Sequence, residues 1–260
     1  MLIYSGWVCK VRFRRFYSWA GMIVAFMIFA PGCQELGYVG TETCLACHNG
    51  EQAADRRGFL ESRHVDIGCE ACHGPGALHV RNGGRYGLMI DSAEGSAESV
   101  CKKCHEETVA EFQGSGHAMK GVLGCLDCHD PHSGDETVRS FEDNQLCLQC
   151  HTYTGFDTEE AISAHTFHTY DPEGTGASRC VACHMVPTDR VYQDNTHNHS
   201  LIPVPPEASN LSDIVPTPPN SCAGVIGCHD GSINTVPNFN VDDPATNDYL
   251  QIVYDDRYGL

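Results

Sequence analysis

One short motif occurs six times in the sequence: two cysteines separated by two residues and followed at once by a histidine. Two thiols about one helical turn apart can form thioether bonds to the two vinyl groups on one edge of a haem, and the adjacent histidine can then bind the iron. A disulfide scaffold leaves the six histidines unexplained, and a structural zinc site needs four ligands from two spaced pairs. The motif therefore predicts six c-type haem sites. Their thioether cysteines are Cys44, Cys47, Cys69, Cys72, Cys101, Cys104, Cys125, Cys128, Cys147, Cys150, Cys180 and Cys183, and their proximal iron ligands are His48, His73, His105, His129, His151 and His184.

A seventh candidate has a wider spacing, with five residues between Cys222 and Cys228 and with His229 directly after them. All the reacting groups of an attachment motif are present, so we predict a seventh haem held on a bulged loop. A disulfide that closes a small loop, or two spare thiols, are the alternatives for this pair. The cofactor expected is thus haem c, seven copies, or six if the Cys222 site is empty.

Each haem iron has a second axial position, for which the chain offers further histidines. Outside the motifs eight histidines remain, close to one for each iron. Methionine can also bind haem iron, but Met89, Met119 and Met185 are few and are interpreted as packing residues. We predict mostly bis-histidine coordination. The candidate distal ligands are His64, His79, His117, His132, His165, His168, His197 and His199.

The fragment CLDCHDPH restricts the pairing. His132 follows the proximal His129 by three residues, so their backbones are no more than about 10 Å apart. Two imidazoles on opposite faces of one iron hold their backbones farther apart, and the chain must also pass around the porphyrin. His132 is therefore predicted to bind a haem other than the one beside it, and His79, six residues after His73, is predicted to do the same.

The elements that position these residues are expected to be short. A motif, a lone histidine and a second motif recur three times, starting at Cys44, Cys101 and Cys147, which predicts haems arranged in a chain. Turn-forming glycine clusters interrupt every apolar run. The predicted fold class is mainly α with little regular secondary structure: short helices and loops wrapped around a chain of closely packed haems. Six prolines within residues 203–219 predict an extended strap that carries the last motif.

The beginning of the chain has the pattern of an export signal. Four basic residues precede a 12-residue apolar run, too short to span a bilayer. Small residues before Cys33 resemble a lipoprotein box, although Ala30 and Pro31 depart from it, so lipid attachment at Cys33 and ordinary cleavage nearby both remain open. The predicted organisation is a signal peptide at 1–32, a multihaem body with loose repeats at 33–200, and at 201–260 a Pro-rich strap and C-terminal segment with the last haem site.

The charge of the chain limits its partners. Without residues 1–32 the chain keeps 12 basic and 34 acidic side chains, a net charge of −22. Such a surface repels nucleic acid and anionic lipid. It suits a soluble protein that meets basic patches on partner proteins, although acidity that serves only solubility explains the charge equally well.

The sequence also resembles a known group, the exported multihaem c-type cytochromes of bacteria. Residues 69–80, CEACHGPGALHV, and the paired motifs resemble periplasmic cytochromes of respiratory electron-export chains. The stretch from CVACHM, beginning at Cys180, through THNHS at 196–200 to PNSCAGVIGCHDG at 219–231 resembles the C-terminal part of cytochromes related to the tetrahaem c554 type and the pentahaem nitrite reductases. That resemblance implies a distal-ligand role for His199 and a final haem at Cys222, Cys228 and His229.

These features predict electron transfer through about seven haems in anaerobic or extracellular respiration. The expected partners are other cytochromes or extracellular electron acceptors, and the protein is expected to be periplasmic, attached to the outer membrane or extracellular. One alternative is a subunit of an extracellular cytochrome filament, a homopolymer. Another is a nitrite or hydroxylamine oxidoreductase. The nitrite reductases that the sequence resembles carry a lysine in place of one motif histidine, and this lysine is absent from all seven motifs here. No catalytic residue is therefore predicted.

Overall fold

The computed structural model describes residues 37–48, 58–85, 97–133, 144–171, 177–191 and 196–258, together with the backbone of three short strands. The strands are β1 (Leu2–Tyr4), β2 (Trp7–Cys9) and β3 (Cys33–Glu35), which form an antiparallel sheet in the order β1-β2-β3. The predicted signal peptide, residues 1–32, lies outside the described residues except for the backbone of β1 and β2. The side chain of Cys33 also lies outside them.

Short helices make up most of the regular structure, which confirms the predicted fold class. In the described part of the chain α12 has 15 residues and every other helix has eight or fewer. No helix in this part is both long and apolar enough to cross a membrane. The helices are α1 Thr41–Leu45, α2 Cys69–His73, α3 Ala77–Arg81, α4 Ala97–Cys101, α5 Glu106–Gln113, α6 Gly116–Met119, α7 Cys125–Cys128, α8 Gln145–His151, α9 Glu159–Thr166, α10 Cys180–His184, α11 Glu207–Asn210 and α12 Pro244–Tyr258.

The helices are short because the sequence stops them. Helix α2 lies between Gly68 and Gly74, whose φ angles are +76° and +80°. Glycine adopts this left-handed backbone without the steric cost of a Cβ atom, so these two glycines set the two ends of α2. The second motif therefore occupies about one turn of helix, bounded by loops.

The chain divides into two compact units. Unit 1 contains Met1–Ser96 and Pro131–Gly134, and unit 2 contains Ala97–Asp130 and Asp135–Leu260. In unit 1, α1 and the 3-10 helix Val65–Ile67 pack against α2. In unit 2, α4 contacts both α5 and α7, and α11 packs on α12.

The apolar interior of unit 2 is small. Its one cluster of buried residues in the described chain consists of Ala223, Val241 and Leu250, with Cys222 and Phe239 against it. A domain of this size normally buries well over half of the surface of its unfolded chain. A packed interior therefore requires something besides these side chains, which fits the predicted haems.

The C-terminal segment differs from the sequence expectation in two ways. The strap at 203–219 is not extended throughout, because α11 begins directly after Pro206. The backbone of Pro206 is already helical, and the fixed φ of proline suits the start of a helix. The acidic tail, residues 232–260, carried no predicted element, but the structure shows that it contains α12. This helix buries Asn247, Leu250 and Tyr254, which share one helical face.

Candidate haem sites

Short helices carry the first cysteine of each of the six regular motifs. In three motifs the same hydrogen bond closes the turn: the N–H of the motif histidine donates to the carbonyl of the first cysteine at 2.9 Å, for His48, His105 and His129. One turn of helix places both thiols on one side and directs the chain onward to the histidine. The seventh candidate lacks a helix; Gly224 and Gly227, at φ +88° and +77°, turn the loop between Cys222 and Cys228.

The structure brings motif histidines and separate histidines together in pairs. Six such pairs have ring centroids between 5.8 and 6.2 Å apart. Most partners are far apart in sequence, and each pair lies within one unit. The pairs are His48–His79 and His73–His132 in unit 1, and His117–His151, His129–His199, His165–His184 and His168–His229 in unit 2.

The ring separations fit an iron atom between the two rings. A ligating nitrogen lies about 2 Å from its metal and the ring centroid about 1.1 Å farther out, so two imidazoles on opposite sides of one iron have centroids about 6 Å apart. In the described chain no group of three or more His, Cys, Asp or Glu could hold a metal by itself. Histidines arranged in twos suit a porphyrin, which supplies the other four iron ligands. The residues present therefore fit the predicted haem.

Backbone carbonyls fix the orientation of several rings. Nδ1 of His184 lies 2.8 Å from the carbonyl of Leu201, and Nδ1 of His229 lies 2.9 Å from the carbonyl of Pro237. The Nδ1 atoms of His168 and His199 bond to carbonyls two residues earlier, at 2.6 and 2.7 Å. Metal-binding histidines usually donate one ring N–H in this way, which leaves the other nitrogen for the metal. Nε2 is thus the nitrogen that these four rings offer to a metal.

Burial favours the form of histidine that can bind iron. Burial lowers the pKa of His117, His165 and His199 below the ordinary histidine value. The paired rings His151 and His184 lower the pKa of His117 and His165 further, while a bond to the His197 carbonyl partly opposes the shift of His199. The neutral ring is the ligand form, so these rings are ready to bind near neutral pH.

Cysteines of successive motifs lie against one another. In all three repeats the first cysteines of the two motifs are within hydrogen-bonding reach: Cys44 and Cys69, Cys101 and Cys125, and Cys147 and Cys180. In unit 2, Cys128 is also close enough to Cys147 and Cys150, and Cys183 to Cys222 and Cys228, for electrostatic interaction. The described cysteines form no disulfide. From the third motif to the seventh, attachment points therefore adjoin in the order of the sequence.

The repeats are alike in their cysteines but not in their lone histidines. His165 pairs with His184, the histidine of the second motif of its own repeat, whereas His117 pairs with His151 of the next repeat. His64, His105 and His197 have interactions of their own and complete the set of predicted histidines. Among the methionines, Met119 is 70% exposed, and Met89 lies outside the described residues.

Two further residues contribute to the sites without having been predicted. Asn220, fully buried, accepts hydrogen bonds from the N–H groups of Cys222 and Ala223 at 2.9 and 2.8 Å, which fixes the start of the seventh loop. Phe156 lies edge-on to His151 and His165, 6.4 and 5.0 Å between centroids, and so contacts one ring from each of two pairs. An asparagine before a cysteine in a proline-rich segment signals an Asx turn, whereas Phe156 has no comparable signal.

Two family models match parts of the chain. Residues 117–156 match the doubled CXXCH motif, and residues 32–74 match cytochrome c554 and c-prime. The first match contains the fourth and fifth motifs, and the second contains the first two. The sequence had suggested a c554-type resemblance in the C-terminal part, whereas the matching residues are N-terminal.

Several known proteins are similar to the chain. The multiheme cytochrome MtrA of Shewanella baltica is 27% identical over 137 residues, 48% of this chain and 41% of that protein. The C-type polyheme cytochrome OmcC of Geobacter sulfurreducens is 26% identical over 168 residues, 56% of this chain and 20% of that protein. OmcB of the same species is 29% identical over 125 residues, 45% of this chain and 14% of that protein. The chain thus spans about two fifths or less of the length of these relatives. No solved structure matches the chain significantly.

Proposed function

We propose that this chain, which is a multihaem c-type cytochrome, carries electrons along a series of seven covalently bound haems. The observation that supports this most directly is the set of six histidine pairs with ring centroids about 6 Å apart. Haem supplies the one-electron chemistry when bound, and the protein sets its ligands, burial and hydrogen bonds. A chain that offers two imidazoles for each of six irons is built to hold these irons six-coordinate.

The contacts between cysteines support transfer from one site to the next. Because Cys101 meets Cys125 and Cys147 meets Cys180, attachment points of consecutive motifs lie side by side. Cys128 and Cys183 extend the same arrangement to the following motifs. This arrangement would hold the haems at short spacing, which is what electron transfer requires of a protein.

The seventh site is part of this proposal. His229 pairs with His168 at 6.2 Å, and its Nδ1 is held by the Pro237 carbonyl, as in the sites with regular spacing. Cys222 and Cys228 both interact with Cys183 of the sixth motif. The loop of five residues thus leaves both thiols near the sixth motif and His229 opposite His168. Intact mass under denaturing conditions counts the haems: seven are expected in the mature protein and six in Cys222→Ser.

An oxidoreductase would need an iron with an open position. Each of the six pairs would supply a second imidazole opposite the proximal one, which favours a carrier over a catalyst. Electron paramagnetic resonance of the oxidised protein tests this, and we expect low-spin signals alone, with no turnover of nitrite or hydroxylamine. A stoichiometric high-spin haem together with turnover of either compound would overturn the proposal and establish an enzyme.

The partners and the location belong to the same proposal. The acidic chain suits redox proteins that present basic patches, or extracellular acceptors, after export to the periplasm, the outer membrane or the exterior. Mass spectrometry of the native protein from cell fractions locates it and reveals any lipid on Cys33. Electron microscopy of secreted protein distinguishes a discrete carrier from a filament.

A further inference from the structure

The second motif contains a buried carboxylate to which the predicted haem sites assign no role. Glu70 follows Cys69 in α2 and is 8% exposed. Its two oxygens each accept a bond from the N–H of Val39 at 3.0 Å, and one of them also accepts from Gly40 at 2.8 Å. The other accepts from Gly76 at 2.7 Å. A buried charge is costly unless it is well bonded, and three backbone donors meet that requirement here.

These donors belong to the segments that present the first histidine pair. Gly40 immediately precedes α1, which carries Cys44 and leads to His48, and Gly76 immediately precedes α3, which carries His79. A backbone bond from Ala77 to Gly37, at 3.0 Å, joins the same two segments. The carboxylate therefore bonds to the backbone just before each of the two helices that lead to His48 and His79. The rings of this pair lie 6.1 Å apart at an interplanar angle of 14°.

We infer that Glu70 is a positioning residue for the iron site of the first motif, although it belongs to the second. It fixes the separation of α1 and α3 and hence that of the His48 and His79 rings. The second pair takes the ring of His73 from the end of α2 itself and that of His132 from residues 131–134, and none of the three donors belongs to either segment. The inference rests on the proposed haem ligation at these histidines.

Carbon monoxide binding to the reduced protein tests the inference, because the gas binds only an iron that has lost an axial ligand. Amounts are counted above the gas bound by the unaltered protein, and on this scale we expect Glu70→Ala to bind up to one equivalent per chain. The matched control is Glu42→Gln, which removes an exposed carboxylate from the first turn of α1 and is expected to bind none. The haems of each variant are counted by intact mass. A first motif that carries no haem would count against the proposed function and not against the role of Glu70.

Double variants identify the iron affected. His79→Ala alone should open the first site, and Glu70→Ala added to it should leave the total at one equivalent, since both changes act on the same iron. Glu70→Ala added to His132→Ala should raise the total towards two. No binding by Glu70→Ala, or equal totals in the two double variants, would overturn the inference. If Glu70→Ala does not accumulate, Glu70→Asp replaces it, because aspartate keeps the charge but is one methylene too short to reach both segments. Glu70→Asp should open the first iron site in part. A fully closed first site in Glu70→Asp would also overturn the inference.

Discussion

Replacement of Asn220 by alanine tests how the irregular seventh motif is held. Its amide oxygen accepts from the N–H groups of Cys222 and Ala223, and its amide nitrogen donates to Ser209 at 2.9 Å. Ala223 is 2% exposed, so its N–H would lose its partner away from water. Orphaned buried donors cost about 1 to 3 kcal/mol each, and the two together about 3 kcal/mol. This cost corresponds to a roughly hundred-fold larger equilibrium constant for local opening of the seventh loop.

Hydrogen exchange followed by mass spectrometry measures this opening. We expect peptides from residues 219–229 to exchange roughly a hundred times faster in Asn220→Ala, with little change around the first motif. Asn234→Ala, which replaces an exposed asparagine of the same segment, is the control. Unchanged exchange in residues 219–229, or equal acceleration throughout unit 2, would refute the view that Asn220 holds this loop specifically.

Three further predictions follow from the same geometry. Oxidised protein should give two classes of low-spin resonance signal, because ligand rings are near parallel in three pairs (10° to 14°) and strongly crossed in two (57° and 65°); a single class would contradict the ring orientations. Acid should weaken unit 1. Burial alone would raise the pKa of Glu70, but its three backbone bonds lower that pKa overall. The stabilisation by Glu70 is therefore complete above the ordinary glutamate pKa and is lost as the pH falls through the lower pKa of the folded state. Hydrogen exchange in unit 1 should show this loss, and Glu70→Gln should remove the pH dependence. Phe156→Ala should alter the resonance signals of the sites formed by His117 with His151 and by His165 with His184, while Tyr153→Ala, an exposed aromatic residue nearby, should alter neither.

The local chemistry of this protein could be predicted from sequence, because attachment depends on residues within one helical turn. The six motifs, the short helices and the repeats are all of this kind. The pairing of histidines is not, since His129 meets His199 across 70 positions and His73 meets His132 across 59. Sequence spacing excludes a partner that is too near, as it did for His129 and His132, but it does not choose among distant ones.

Helix α12 and Glu70 illustrate two different limits. A capping signal for α12 was present: Asp243 accepts from the N–H of Ala245 and the hydroxyl of Thr246, and Pro244 occupies the first turn. The acidic composition hid it, because a buried face of Asn247, Leu250 and Tyr254 has little apolar periodicity. Glu70 offers no such signal, since a glutamate inside a motif appears solvent-exposed until its distant backbone partners are known.

The contacts between cysteines in unit 2 have a consequence for the making of the protein. Each contact joins a motif to the next one along the chain, from Cys101 to Cys228. If the protein carries electrons as proposed, sites so connected act in series, and a molecule with one empty internal motif would be interrupted at that point however well its other motifs are filled. Useful output then depends on complete loading: if each of five motifs were filled independently, a modest shortage of haem would reduce the number of conducting molecules far more steeply than the number of bound haems.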